Sequence, residues 1–145
     1  MTGPVHIRAA TGSDLSIAIE MLGLAGLPTR DLSIRHLALV AESEAGIVGV
    51  VGLETFGDVG LLRSLIVSPN ARGSGIGRLL VESLELSARK RSIRELWLLT
   101  VDADQFFSKL NYEVRQRAFA PEVIRNSQEF SALCPDDAVL MTKSL

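Results

Sequence analysis

Apolar residues recur along this chain with two periods, every second residue and every third to fourth, and the switches between them outline its elements. Alternation over residues 5–9 predicts a short strand. The capping run Thr11-Gly12-Ser13-Asp14 follows, ahead of Leu15, Ala18, Ile19 and Leu22 at helical spacing, so a helix starts there. Gly23, Gly26 and Pro28 break it, and residues 31–36 have the length of a short second helix. Residues 37–42 and 47–54 read as two strands joined by the turn Ser43-Glu44-Ala45-Gly46, and a second hairpin turns within residues 56–60 into a strand at 61–67. From Gly75 to about Arg91 the residues Ile76, Leu79, Leu80, Leu84 and Ala88 share one face of a long helix that packs on the sheet. Residues 95–100, with Leu96-Trp97-Leu98-Leu99, form a buried strand, and the intervening helix makes it parallel to the strand at 61–67. A short helix at 103–110 carries Phe106 and Phe107. A strand near 112–118, an irregular or helical stretch at 121–133 and a closing strand at 138–142 complete the pattern. With no repeat or low-complexity tract, residues 1–145 read as one domain.

Composition narrows the function classes. Hydrophobic content is 47% and mean hydropathy +0.27, but the apolar runs have strand length, whereas a membrane span needs roughly 18 or more consecutive apolar residues. The N-terminus lacks the basic and apolar regions of a signal peptide, so a cytoplasmic protein with no membrane partner is expected. Cys134 is the only cysteine and His6 and His36 the only histidines, a set from which neither an intrachain disulfide nor a zinc site is built. A net charge of −2 argues against an electrostatically driven nucleic-acid partner. The basic group Arg89, Lys90, Arg91 and Arg94 sits where a helix C-terminus favours cations.

The chemistry is concentrated where the strand at 61–67 runs through Ser68-Pro69-Asn70-Ala71-Arg72-Gly73-Ser74-Gly75-Ile76-Gly77-Arg78 into the long helix. Gly73, Gly75 and Gly77 strip side chains from the turn, so that successive N–H groups converge at the positive end of the helix, and Arg72 and Arg78 add charge. This is an anion cradle. A Walker loop would end in Gly-Lys-Ser/Thr, and a dinucleotide fingerprint would place its third glycine at Arg78, so neither fits. Strand, Ser-Pro, Arg-x-x-Gly-x-Gly and helix in that order resemble the coenzyme A pyrophosphate loop of the GNAT superfamily of N-acetyltransferases.

That resemblance, which extends to the element order over nearly the whole chain, implies an α/β (α+β) GNAT-like domain: a mixed, mostly antiparallel sheet, helices on both faces and a splay between strands four and five. It implies acetyl-CoA as cofactor. The pantetheine arm would run along main-chain groups of Leu65, Ile66 and Val67, and the pyrophosphate would lie on the amides of Arg72, Gly73, Ser74, Gly75, Ile76, Gly77 and Arg78. The segment from Thr100 to Tyr112 resembles the motif Asn-x-x-Ala-x-x-Phe-Tyr-x-x-x-Gly-Phe that lines the coenzyme thiol. Thr100 stands at its asparagine and Phe107 at the tyrosine that often protonates the leaving thiolate, so that tyrosine has no counterpart. Phe106 and Phe107 are either core residues or walls of the thioester pocket.

The reaction implied is attack of a neutral primary amine on the thioester carbonyl, with the oxyanion held by a main-chain N–H near Leu65. An alkyl amine with a pKa of about 10 must first lose a proton, and Glu54, at the end of the third strand and on the face of Val48 and Val50, is the candidate base, the alternative being a strand-end glutamate in solvent. Arg63 and Ser64 interrupt an apolar strand. Arg63 pairs with Glu54 across the hairpin, accepts a substrate carboxylate, or reaches solvent along the sheet edge; Ser64 orients a water or the amine, or is tolerated packing. Arg30, Arg63 and the Cys134 segment are the expected walls of the acceptor pocket, suited to a small amino-acid-like amine. The tail from Ala120 to Met141, with Leu62-Arg63-Ser64-Leu65 and Leu99-Thr100, resembles the small arsenic-resistance-associated N-acetyltransferase branch, which implies detoxification; Cys134 reads more simply as a packing residue than as an arsenic ligand. Acetylation of a protein or peptide, and a non-catalytic acyl-coenzyme sensor, are the alternatives. A homodimer through a sheet edge is expected.

Overall fold

The computed structural model describes residues 4–26, 29, 32–128, 130 and 138–145. Its elements are β1 (His6–Ala9), α1 (Leu15–Leu24), β2 (Leu37–Ser43), β3 (Gly46–Phe56), β4 (Val59–Val67), α2 (Ile76–Lys90), β5 (Glu95–Thr100), α3 (Asp104–Ser108), β6 (Glu113–Arg115), α4 (Glu122–Arg125) and β7 (Val139–Ser144). The sheet order is β1-β2-β3-β4-β5-β7-β6. β4 and β5 are parallel neighbours and the other adjacent pairs are antiparallel, as expected when hairpins join β2, β3 and β4 and a helix joins β4 to β5.

The parallel pair is short. It joins Val59 to Glu95, Gly60 to Leu96 and Leu61 to Trp97 and then stops, while β4 stays paired to β3 as far as Val67. From Leu62 onward, among the described residues, β4 presents its β5-facing edge to open space, and this is the splay. On the β3 side the register runs from Val50–Ile66 to Gly52–Arg63, so β4 uses one residue more than β3 over that stretch, a bulge at which Ser64 takes φ 59.

The two faces are covered differently. On one, α2 buries Ile76, Leu80, Val81, Leu84 and Ala88 against Val51, Leu53, Leu62, Leu96 and Leu98, with Phe107, Leu110 and Tyr112 at the far end. On the other, Ala18 of α1 covers Val40 and Val50, and Ala120 and Ile124 cover Leu61, Trp97, Leu99 and Leu140. Each fully buried leucine contributes about 2 kcal/mol of transfer free energy. Glu85 interrupts the buried stripe of α2; it accepts Tyr112 Oη at 2.8 Å and Lys143 Nζ at 3.0 Å, so its charge is matched within the core. Burial, and then the Glu85 charge, push the Tyr112 hydroxyl well above its usual pKa and keep it protonated. At the opposite corner Arg8 forks onto Asp14 at 2.9 and 3.0 Å and reaches Glu42 at 3.1 Å, tying β1, β2 and the start of α1 together.

Four local expectations differ from the structure. Of residues 31–36, the described ones form a single turn, with His36 N–H on Ser33 C=O, and the chain then passes directly into the sheet, the His36 carbonyl accepting Leu53 N–H of β3 at 2.8 Å. Leu79 is 41% exposed and Val81 takes its place on the buried face of α2. Val48 packs on the α2 side while Val50 packs on the α1 side, since β3 gains a residue between the pairs Glu42–Ile47 and Ala41–Gly49. The strand expected at 112–118 is only Glu113–Arg115, and a 3-10 turn, Arg117–Phe119, follows it.

Candidate active site

The turn between β4 and α2 is assembled from two local bonds and one to β3. Ser68 N–H donates to Val48 C=O at 2.8 Å, Ala71 N–H to Ser68 C=O at 2.9 Å, and Arg72 Nε to Val67 C=O at 3.0 Å. Gly73 and Gly75 take φ 85 and 84, where a side chain would be strained although a Cβ would meet nothing within 4 Å. Gly77 is small for the opposite reason: a Cβ there would sit 3.3 Å from Phe106 Cζ. The first bond across the start of α2 is Leu79 N–H to Gly75 C=O, so the amides of Ile76, Gly77 and Arg78 lie ahead of the helical ladder, at the positive end of the dipole. Arg78 Nε points along the helix to Glu82 Oε2 at 3.3 Å.

A cleft of about 840 Å³ lies in the splay. Of the residues singled out from sequence, Arg63, Ser64, Leu65, Ile66, Val67, Arg72, Gly77, Thr100, Phe106 and Phe107 line it. Gly73, Ser74, Gly75, Ile76 and Arg78 form the turn and first helical residues at its end. Arg30 and Cys134 lie outside the described residues. The sequence reading missed Leu24, Ala25 and Gly26, which close the cleft from the end of α1; its one signal was a helix apolar on nearly all sides, with Leu24 left 86% exposed.

Arg63 is 1% exposed, and its Nη1 meets Glu54 Oε1 at 3.3 Å, so the sheet-edge alternative is excluded and the cross-hairpin pair is present. Its opposite number on β3 is Gly52, where a Cβ would come within 2.6 Å of the His36 carbonyl oxygen and 3.3 Å of Arg63 Cγ; glycine makes room first for that carbonyl and only then for the arginine stem. Arg63 lines the cleft and Glu54 does not, which sets the arginine between that carboxylate and the open space. Arg63 Nε also donates to Ser64 Oγ at 3.3 Å. Thr100 Oγ1 accepts Ala103 N–H at 2.9 Å and so fixes the start of α3. Phe106 and Phe107 stack edge to face at 5.0 Å, and Phe107 meets Tyr112 at 5.4 Å, which holds the aromatic wall against the core. Tyr112 itself, bound to Glu85, does not line the cleft.

A parallel pair parting around a cleft, with a glycine-built helix N-terminus at one end, defines a split-sheet domain shaped for an extended ligand with an anionic group. Residues 35–114, more than half of the chain, match the family model described as an acetyltransferase (GNAT) domain, and the chain belongs to that family. An uncharacterized N-acetyltransferase of Chlorobaculum tepidum is 32% identical over 85 residues, 58% of this chain and 54% of that protein. N-alpha-acetyltransferase 80 of Mus musculus is 41% identical over 54 residues, 37% of this chain and 17% of the mouse protein. The chain thus spans about half the length of the first relative and less of the second. Among solved structures, N-acetylglutamate synthase of Neisseria gonorrhoeae, complexed with coenzyme A and L-arginine, superposes with TM-score 0.82 at 22% identity over 97% of this chain and 33% of that one. Rv2747 of Mycobacterium tuberculosis, also solved with coenzyme A, gives TM-score 0.81 at 22% identity over 97% and 99%. At these identities the likeness is one of fold.

Proposed function

We propose that this domain transfers an acetyl group from acetyl-CoA to the primary amine of a small molecule. The observation that carries the reading is the splay of β4 from β5 opening onto the amides that precede the α2 ladder. The residues fit the coenzyme: Gly73 and Gly75 turn the main chain through conformations that side chains resist, and Gly77 keeps the wall beside Phe106 clear. Main-chain groups of Leu65, Ile66 and Val67 would hold the pantetheine arm, the amides from Gly73 to Arg78 the pyrophosphate, and Thr100, Phe106 and Phe107 the thioester end. Coenzyme A is present in several similar structures. When bound, acetyl-CoA supplies an activated acyl group; the chain's part is to orient it, to offer an N–H near Leu65 to the carbonyl oxygen, and to take a proton from the amine. Glu54 is the proposed base, acting through water because Arg63 stands between it and the cleft.

Arg63 and Arg72 against a single acid, Asp102, are the charges among the described lining residues, a balance that suits an amine also carrying a carboxylate. Arg30 and Cys134 belong to the proposed acceptor side on sequence grounds, as does a detoxifying role of the arsenic-resistance-associated kind. Cytoplasmic residence and a homodimer through a sheet edge complete the proposal. One observation favours a second reading, a non-catalytic acyl-coenzyme sensor: Phe107 lines the cleft while the chain's one tyrosine is bound to Glu85. Thiol release from acetyl-CoA, followed over a panel of amino acids, other small amines and peptides, decides between them. Turnover with small amines is expected. Coenzyme binding without turnover on any amine supports the sensor, and turnover on peptides alone refutes the small-molecule acceptor.

A further inference from the structure

We propose that Ser64 is the hydrogen-bond donor to the departing sulfur of the thioester, and that Arg63 is the positioning residue that leaves the serine proton free for it; this rests on the acetyl-CoA reading above. Three independent observations converge on Ser64. It occupies the bulge of β4 at φ 59, a left-handed conformation that glycine adopts freely and serine only against steric strain, so the side chain is kept where its absence would be easier. It lines the cleft along the stretch where β4 and β5 have parted. Its Oγ accepts Arg63 Nε at 3.3 Å. A guanidinium has donors only, so the serine oxygen is the acceptor in that pair; its own O–H is left to donate elsewhere, and a cation on the oxygen makes it a stronger donor.

The alternatives along the cleft are weaker. Tyr112 donates to Glu85 outside it, and Phe107 has no polar atom. Thr100 is the other hydroxyl among the described lining residues, and its oxygen accepts only a neutral amide, that of Ala103. Negative charge growing on sulfur beside Leu65, Leu99, Phe106 and Phe107 has few polar neighbours, so a single donor there carries weight. In the step itself the amine nitrogen forms a bond to the carbonyl carbon and the carbon–sulfur bond breaks. The sulfur leaves with the bonding pair, Ser64 O–H donates a hydrogen bond to it without losing its proton, and the proton shed by nitrogen passes through water to the proposed base, Glu54.

The test compares the wild type with Ser64→Gly and Ser64→Ala in complex with free coenzyme A, reading the pKa of the bound thiol from the ultraviolet absorbance of its thiolate. Both variants are expected to raise that pKa by about one unit, a tenfold change in ionisation, while calorimetric affinity for coenzyme A holds. Ser64→Gly is expected to melt at or above the wild type because its backbone strain is relieved. Equal thiol pKa values in all three proteins, with coenzyme bound, overturn the role of Ser64 and leave the proposed function standing. Failure of the wild type to bind coenzyme A overturns both.

Discussion

Gly75→Ala and Gly77→Ala should move stability in opposite directions while both weaken coenzyme binding. At Gly75, φ is 84 and a Cβ meets nothing within 4 Å, so the whole penalty is conformational. A left-handed L-residue costs about 1–2 kcal/mol, offset by about 0.4–1 kcal/mol from a stiffer unfolded chain. The net loss, about 1 kcal/mol, corresponds to a melting point lower by roughly 3 °C for a chain of this size. Gly77 lies in the first turn of α2 without a positive φ, where alanine gains part of the about 1 kcal/mol of helix propensity that separates it from glycine in a helix interior. Its new methyl stands 3.3 Å from Phe106 Cζ, so the gain is partly spent on moving that ring into the cleft. Gly77→Ala should therefore melt at or slightly above the wild type. For binding, a rotated amide that no longer meets a phosphate oxygen loses a charge-assisted hydrogen bond, about 1.5–3 kcal/mol, or roughly ten- to a hundredfold in Kd. Scanning calorimetry and coenzyme A titration on the two variants are sufficient. A Gly75→Ala protein that melts like the wild type and binds coenzyme A equally well refutes the reading of this turn.

Three further outcomes follow from charges placed by the fold. The Arg8 fork, with the Thr11 amide, holds the Asp14 carboxyl at about 2, below its ordinary value; because the folded pKa is the lower one, the stabilisation is full above about pH 4 and fades as pH falls through 2. Acid melts should accordingly show Asp14→Asn losing its deficit against the wild type across that window, and a constant deficit would discount the fork. Glu54→Gln should slow acetyl transfer near neutral pH and lower stability by about 2 kcal/mol, since it weakens the charge-assisted bond from Arg63 Nη1 to Glu54 Oε1; an unchanged rate removes Glu54 from the mechanism. Tyr112→Phe should cost about 1–2 kcal/mol in denaturant unfolding through the lost bond to Glu85, with turnover intact because the hydroxyl lies outside the cleft, and a collapse of activity at unchanged stability would contradict that placement.

The elements that survived from pattern to structure are those whose partners are implied by periodicity. β5 keeps its expected bounds because a continuous apolar run between turn signals is buried wherever it pairs, and α2 keeps its length because Gly75 and the arginine-rich end mark its limits. Failures occurred where a distant group set the local choice. Sheet pairing already begins at His36, whose carbonyl accepts Leu53 N–H, and the register change at Val48 turns that side chain away from the face of Val50. Glu54 is legible as a strand-end carboxylate, but that Arg63 would be buried and meet it across the hairpin depended on the pairing of β3 with β4, visible only once register is known.

The chain by itself determined the cradle, because positive φ and close approach demand glycine, and a helix beginning at Ile76 fixes where its leading amides point whatever lies around them. It also determined the order of strands and helices, since hairpin turns and a crossover helix leave few ways to pair neighbours. Only the tertiary structure decided that β4 and β5 part after Leu61, that Ser64 is held left-handed at the bulge and that Tyr112 belongs to Glu85 and Lys143. Each of these is set by residues far away in sequence competing for the same backbone or side-chain partner, a competition resolved by packing and not by local preference.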